Sequence, residues 1–300
     1  MIAAEVFPGA AFWREAFALH GAATTRVMPR TLVFTALAAA VALVHRSVPS
    51  IAIRVDTLEA SGLVLGLLLV FRTAAGYERW WEARKLWGEI VNQSRNLVVS
   101  ARAFGPPERV WQRELTRWVA AFSHATRATL QDQRAQPELT ALLGTTEAAR
   151  LRAAEHMPSY VAGRIAALLR RARDEGGLDP FAFIQLDRER AALLEHEGGC
   201  ERILKTPIPK VYSVTIRRFV VFYLCAVPFA LVATTGLFAP LYALFIAYPI
   251  LSLEQIGAEL QNPFVERSLS HLDLRAICGA IQKNLDGITH EGDEGGGDRG

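Results

Sequence analysis

A run of 35 uncharged residues, 219–253, constrains the fold of this chain more than any other feature of the sequence. A straight helix of that length would extend ~52 Å, whereas the hydrocarbon core of a bilayer is about 30 Å thick. The run must therefore fold back on itself, and Gly236 and Pro240 mark the bend. Two membrane-spanning helices are predicted, at residues 214–235 and 239–255.

Two earlier apolar segments, 31–53 and 58–78, predict two further spans. Each has fewer strictly uncharged residues than the ~20 that a lone span needs, which favours helices with protein neighbours over helices surrounded by lipid. The pattern also allows both to be buried helices of a soluble protein. Basic residues follow the second span and precede the third, so the positive-inside rule places both termini in the cytoplasm. Arg46 and Arg54, in the first outer loop, weigh against that orientation.

The composition fits a chain that lies partly in a membrane and partly in water. Hydrophobic residues make up 51% of the chain, and the 21% of charged residues are too many for a protein wholly inside lipid. Amphipathic helices are expected at 10–22 and 272–288. The predicted organisation is an interfacial or cytoplasmic helix in 1–30, two spans in 31–82, a helical cytoplasmic region in 83–212, two spans in 213–255, a C-terminal cytoplasmic helical segment in 256–289 and a disordered tail in 290–300.

No pattern in the sequence points to catalysis, a cofactor or nucleic acid. The formal charge of +3 is small, and the motifs of phosphate-binding loops, zinc proteases and serine hydrolases are missing. Cys200, Cys225 and Cys278 lack the paired spacing of zinc or redox motifs. The string HEGGCE at 196–201 contains metal-ligand residue types, but its glycines are expected to end a helix, so no metal site is predicted there. A membrane enzyme is the weakest functional alternative.

The second span continues without a break signal into a polar, Trp-rich helix. Leu63, Leu67 and Phe71 recur every four residues in it and share one helix face over about 12 Å. Gly62 and Gly66 lie on a neighbouring face, where small residues let another helix approach closely. Periodicity alone favours packing of this apolar stripe in a core, although a pore-lining helix would have the same pattern.

Four strings from the second span onward carry a family resemblance. The longest, FRTAAGYERWWEARKLWGEIVNQSRNL, occupies residues 71–97, and GGCERILKTPIP at 198–209, PFAL at 228–231 and AELQNPF at 258–264 follow it. Together they resemble the bestrophin family in its bacterial branch. The resemblance implies an all-α homopentameric ion channel, with four transmembrane helices per subunit continuous with a helical cytoplasmic body. It also implies a location in the bacterial inner membrane, with lipid, monovalent ions and other copies of the chain as partners.

The resemblance further assigns the parts of a central pore lined by the second span. The family's hydrophobic neck falls on Leu63, Leu67 and Phe71, where five copies would form three stacked apolar rings able to gate by dewetting. A second constriction, the cytoplasmic aperture, falls on Ile184, with Phe181 as the alternative. Apolar rings carry no charge, so the choice between cation and chloride selectivity is left open.

Six aromatic and charged residues after the neck are predicted to be architectural rather than ion-binding, because Trp and Tyr gather at membrane interfaces and the charges can pair. They are Tyr77, Arg79, Trp80, Trp81, Glu82 and Arg84. Calcium activation is not expected, since the Asn-Pro-Phe string at 262–264 is followed by acids too sparse for a cation that needs 6–8 oxygen ligands.

Two functional hypotheses follow from the sequence. The leading one is a pentameric channel that conducts monovalent ions through the apolar neck. The alternative is a membrane-anchored helical scaffold or sensor with a non-conducting pore, since a wholly apolar neck without a charged ring would also suit a closed pore.

Overall fold

The computed structural model describes residue 13 and residues 23–294, and these contain helices and turns but no strand. The described helices are α1 Thr24–His45, α2 Asp56–Phe104, α3 Arg109–Leu130, α4 Pro137–Ala153, α5 Met157–Asp174, α6 Pro180–Lys205, α7 Lys210–Thr235, α8 Ala239–Glu259 and α9 Leu274–Glu294. Two short 3-10 helices, Pro49–Ile51 and Gly236–Phe238, lie between α1 and α2 and between α7 and α8. The chain is therefore all-α over the part described, as the sequence predicts.

The chain divides into two compact units. The first comprises the described parts of Met1–Glu78 with Ile208–Gln261 and Arg267–Ser270, and the second comprises Arg79–Pro207, Asn262–Glu266 and the described part of His271–Gly300. In the first unit α1 packs along α8, and both pack against α7. Its core combines apolar side chains from four helices, including Val27, Leu65, Leu69, Val220, Leu224 and Ala247.

The long uncharged run folds back where the sequence places the bend. Helix α7 ends at Thr235, the 3-10 turn occupies Gly236–Phe238, and α8 begins at Ala239. Gly236 has a φ of 54°, a left-handed conformation that residues without a β-carbon adopt without strain. Among the described residues, the helical stretches long and apolar enough to cross a bilayer are Thr24–His45, Leu58–Phe104 and Lys210–Glu259, the last of which contains this bend.

Helix α1 differs in its limits from the predicted span at 31–53. It begins at Thr24 and ends at His45, so residues 46–53 lie outside it. Polar contacts hold the additional first turns, because Arg26 Nη1 lies 2.9 Å from Glu259 Oε1 in α8. The prediction of an amphipathic helix at 10–22 concerns residues outside those described, except Trp13, whose side chain is exposed.

The second unit is a helical body with its own core. Helix α3 packs against α5 and α9, and α5 packs against α6. Fully buried members of the core include Trp87, Ile90, Phe122, Val161, Ile165, Leu186 and Cys278. Helix α9 begins after Asp273, whose carboxylate accepts a hydrogen bond from the backbone N–H of Ala276 at 2.9 Å.

Two expectations about helix ends in this unit were wrong. The predicted tail from residue 290 is helical as far as Glu294, the last residue described. The glycines at 198 and 199 do not end a helix, because α6 continues through them to Lys205. A β-carbon on Gly199 would lie 2.9 Å from Leu86 Cδ1, so the glycine lets α2 and α6 pack closely. Tertiary packing thus overrides the helix-ending tendency of the two glycines.

Candidate functional site

The first half of α2 has one buried face and one exposed face. Leu65 and Leu69 are buried in the core of the first unit. Leu63, Leu67 and Phe71 lie on the opposite side, where 78%, 54% and 56% of their surfaces are exposed in the single subunit. Periodicity alone favoured packing of this apolar stripe in a core. The structure shows that the stripe lies outside the core of its own subunit.

The two glycines beside the stripe have different surroundings. A β-carbon on Gly62 would lie 2.7 Å from the hydroxyl oxygen of Tyr223 in α7, so this glycine allows a close approach between two helices. Gly66 has no atom within 4 Å of the position of a β-carbon and is exposed. A second close approach in this unit escaped the sequence analysis, since a β-carbon on Gly76 would lie 3.2 Å from the backbone oxygen of Gly257 in α8.

A cluster of ion pairs around the buried side chains of Arg72 and Glu254, which the sequence analysis did not identify, joins α1, α2, α7 and α8. Arg72 Nη2 lies 3.0 Å from Glu254 Oε1, and Arg217 Nε lies 2.8 Å from the same oxygen. Arg30 Nη1 approaches Glu254 Oε2 at 4.0 Å. The other guanidinium nitrogens of Arg72, Nε and Nη1, have no hydrogen-bond partner among the described residues. A signal was present in the sequence, because Arg72 and Glu254 each follow directly after an uncharged run.

The residues predicted to be architectural make contacts that fit that role. In the second unit, Arg79 donates hydrogen bonds to the backbone oxygens of Ile203 and Thr206, which belong to the last turn of α6 and the residue after it. Carbonyl groups at a helix C-terminus lack partners within the helix, and a guanidinium satisfies them well. Other contacts of the set are a stack between the rings of Trp80 and Trp81, with centroids 6.4 Å apart, and an ion pair between Glu82 and Arg202. Tyr77 and Arg84 are exposed.

Both candidates for the cytoplasmic aperture lie near the start of α6. Asp179 caps this helix by accepting hydrogen bonds from the backbone N–H groups of Phe181, at 2.8 Å, and Ala182. In the single subunit Phe181 is 83% exposed and Ile184 is 49% exposed. Neither side chain is part of the core of the helical body, so both are available to line a passage.

A cluster of three potential metal ligands lies at the other end of α6. His156, at the start of α5, faces Glu197 and Glu201, and their ligand atoms all lie within 4.8 Å of one another. The sequence analysis predicted no metal site in the string at 196–201, yet the two acids of that string, Glu197 and Glu201, belong to this cluster, whereas His196 and Cys200 do not. Cys200 is buried, and burial raises the pKa of its thiol far above the usual value, so the thiol stays protonated. Sequence reasoning missed His156 because it lies far from 196–201 in the chain.

Comparison with known proteins places these features in a family. The model of the family described as Bacterial/Fungal Bestrophin protein matches residues 6–287. A voltage-dependent anion channel-forming protein of Ralstonia nicotianae is 33% identical over 264 residues, covering 86% of each chain. The voltage-dependent anion channel-forming protein YneE of Escherichia coli is 31% identical, with 91% of this chain and 90% of YneE covered. The crystal structure of a bacterial bestrophin homologue from Klebsiella pneumoniae matches with a TM-score of 0.83 at 27% identity, covering 88% of this chain and 98% of that one.

The helical fold and its long apolar helices define an all-α membrane protein. The chain belongs to the bacterial/fungal bestrophin family, since the family model matches most of its length. The resemblance inferred from the sequence strings is thereby confirmed. The curated relatives carry the names of ion channels and not of enzymes, which supports an ion-channel function.

Proposed function

We propose that this protein is a homopentameric channel for monovalent ions, with α2 of each subunit lining a central pore. The observation that carries the proposal is the exposed stripe of Leu63, Leu67 and Phe71 on the face of α2 opposite its buried face. Bulky apolar side chains exposed at a helix surface need a neighbouring surface or lipid. Around a five-fold axis the three would stack as rings and form the hydrophobic neck.

The neck would act on ions through their hydration. An ion passes an apolar constriction only with its water shell, and narrow apolar rings disfavour water. A neck of two Leu rings and a Phe ring would therefore block ions when its diameter is small and conduct them after a slight widening. A second constriction, formed by Ile184 or Phe181, would narrow the path in the cytoplasmic part of the channel.

The names of the curated relatives favour anions as the conducted ions. The proteins from Ralstonia nicotianae and Escherichia coli are both called anion channel-forming. The reversal potential of purified pentamers in a planar bilayer, under a KCl gradient, would assign the selectivity. For an anion channel we expect a reversal potential close to the chloride equilibrium value, whereas a value close to that of potassium would assign cation selectivity.

The neck is tested by the double substitution Leu63→Ala with Leu67→Ala. Removing two rings of isobutyl groups widens the constriction, so single-channel conductance or open probability is expected to rise. Leu32→Ala with Leu43→Ala is the matched control, because both leucines are exposed on α1 and lie outside the proposed neck. If pentamers of the Leu63→Ala, Leu67→Ala variant assemble correctly and their currents are unchanged, this neck is ruled out. Native mass spectrometry measures the number of subunits directly.

We also propose four membrane spans per subunit in a bacterial inner membrane, with the cytoplasmic regions divided as the sequence predicts except that the C-terminal helix extends to Glu294. The apolar lengths of α1, α2, α7 and α8 support this topology. Reporter fusions at the C-terminus and in the turn at Gly236 would test it. A cytoplasmic C-terminus and an external turn are expected.

A further inference from the structure

We propose that His156, Glu197 and Glu201 form a binding site for a divalent transition-metal ion of the zinc type. Glu197 and Glu201 are four residues apart on α6, so their carboxylates project from the same face of that helix. His156 is the N-cap residue of α5, which packs against α6 in the same unit. One imidazole nitrogen and two carboxylate oxygens thus meet between two packed helices.

The distances between the ligand atoms fit the coordination sphere of a small metal ion. His156 Nε2 lies 3.2 Å from Glu201 Oε1 and 3.6 Å from Glu197 Oε1. In tetrahedral zinc sites, bonds of about 2.1 Å separate neighbouring ligand atoms by roughly 3.4 Å. An ion could therefore contact all three groups after side-chain adjustments alone, and water would complete its coordination.

Glu197 supplies the second, independent sign of a ligand. Its carboxyl group is nearly inaccessible, with 3% of the side chain exposed, and Oε1 has no hydrogen-bond partner among the described residues. A buried acceptor without a partner is costly, and a second carboxylate beside it increases that cost. Either a proton or a metal ion at Oε1 would satisfy this buried oxygen.

The remaining contacts orient the ligands toward a common point. The backbone N–H of Ser159 donates to Nδ1 of His156 at 3.2 Å as the N-cap bond of α5, and the Ser159 hydroxyl lies 2.6 Å from the same nitrogen. Metal binding at Nε2 would move the ring proton to Nδ1, where the Ser159 hydroxyl can accept a hydrogen bond from it in place of the N-cap bond. Lys205 Nζ binds the other oxygen of Glu201 at 2.8 Å and leaves Oε1 directed at His156.

The donor set favours zinc-type ions over calcium and magnesium. Imidazole nitrogen is a good ligand for zinc, whereas calcium requires 6–8 oxygen ligands and magnesium is held by oxygen in near-octahedral geometry. Three protein groups, one of them a nitrogen, are too few and of the wrong type for a calcium site. The competing explanation is an ion pair without metal, in which a protonated His156 lies between the two carboxylates.

Zinc binding to the purified full-length protein would decide between these explanations. After EDTA treatment and its removal, titration with ZnCl₂ is expected to fill one site per subunit, and CaCl₂ is expected to give no binding heat at that site. Glu197→Gln and His156→Asn should each weaken zinc binding by at least about tenfold. Asn is a favourable N-cap residue, so His156→Asn keeps the cap of α5 while removing the metal ligand.

Neighbouring residues of the same types provide matched controls. Glu195→Gln and His196→Gln alter α6 beside the cluster, and neither residue belongs to it. Both variants should bind zinc as the parent protein does, and zinc should raise their unfolding temperatures equally. Absence of zinc binding by the parent protein, or equal loss in the controls and in His156→Asn, would establish the ion pair or adventitious surface binding and overturn the proposal.

Discussion

The guanidinium of Arg72 lies 3.0 Å from the carboxylate of Glu254, and only 1% and 4% of the two side chains are exposed. Arg217 shares the same carboxylate oxygen from a more exposed position. Charges removed from water are costly unless they are paired, so Glu254 compensates the Arg72 charge between α2 and α8. The pair thereby fixes the helix that carries the proposed neck.

Loss of the Glu254 charge is expected to destabilise the protein strongly. Glu254→Gln leaves Arg72 buried without a counter-ion and should lower the free energy of unfolding by about 3–5 kcal/mol. The double variant Arg72→Met with Glu254→Leu should recover much of that loss, because no buried charge then remains. Arg217 also loses its partner, but its side chain is exposed. SDS titration of the protein in detergent measures the free energy of unfolding of both variants. The exposed pair Arg54–Asp56 is the control, and Asp56→Asn should have little effect.

Substitution of Gly62 and of Gly66 by alanine should affect the stability of the subunit to different extents. Gly62→Ala brings a methyl group to 2.7 Å from the Tyr223 hydroxyl and should cost about 1–3 kcal/mol of stability. Tyr223→Phe removes that oxygen and should partly rescue the variant. Gly66→Ala has free space within the subunit, so the subunit fold should tolerate it. Equal destabilisation of subunits by both variants, measured by thermal unfolding, would contradict this distinction.

Arg79 is expected to matter for stability rather than for ion selectivity. Its guanidinium binds the backbone oxygens at the end of α6, and hydrogen bonds from charged donors contribute about 1.5–3 kcal/mol. Arg79→Met should therefore lower the unfolding temperature while the reversal potential of surviving channels stays the same. Arg170→Met, at an exposed position on α5, is the control. A shifted reversal potential with unchanged stability would assign Arg79 a role in the ion path instead.

His124 should make the stability of the helical body depend on pH. Burial of the ring and the neighbouring Arg127 charge lower its pKa below the value of about 6.5 in an unfolded chain. As the pH falls, His124 therefore takes up a proton in the unfolded chain before it does so in the folded protein. The free energy of unfolding is highest above pH 6.5 and decreases between pH 6.5 and the folded pKa, by up to about 1.4 kcal/mol per pH unit. His124→Gln should show a smaller loss than the parent between about pH 7 and pH 5.

Denaturant unfolding of the full-length protein at several pH values measures this difference. His196→Gln, at a partly exposed position on α6, serves as the control substitution of the same type. If the free energy of unfolding depends on pH equally in the parent protein and in His124→Gln, the pKa of His124 does not differ between the folded and unfolded states.

The sequence was most informative where the physical constraint is local. The uncharged run had to bend because it exceeds the thickness of a bilayer, and the bend lies at Gly236 as predicted. The four-residue spacing of Leu63, Leu67 and Phe71 placed them on one face of a helix, and α2 is helical across all three. The limits of α1 were less well predicted, because its first turn is held by Arg26 and Glu259 rather than by hydrophobicity.

The sequence by itself determined the all-α class, the long apolar helices, the bend and the family, since each depends on composition, period or a continuous string. Only the tertiary structure decided that the stripe of α2 lies outside the subunit core, that Arg72 meets Glu254, and that His156 meets Glu197 and Glu201. These contacts join residues far apart in the chain. Their formation depends on which helices become neighbours, and helix periodicity fixes the face on which a residue lies but not the partner of that face.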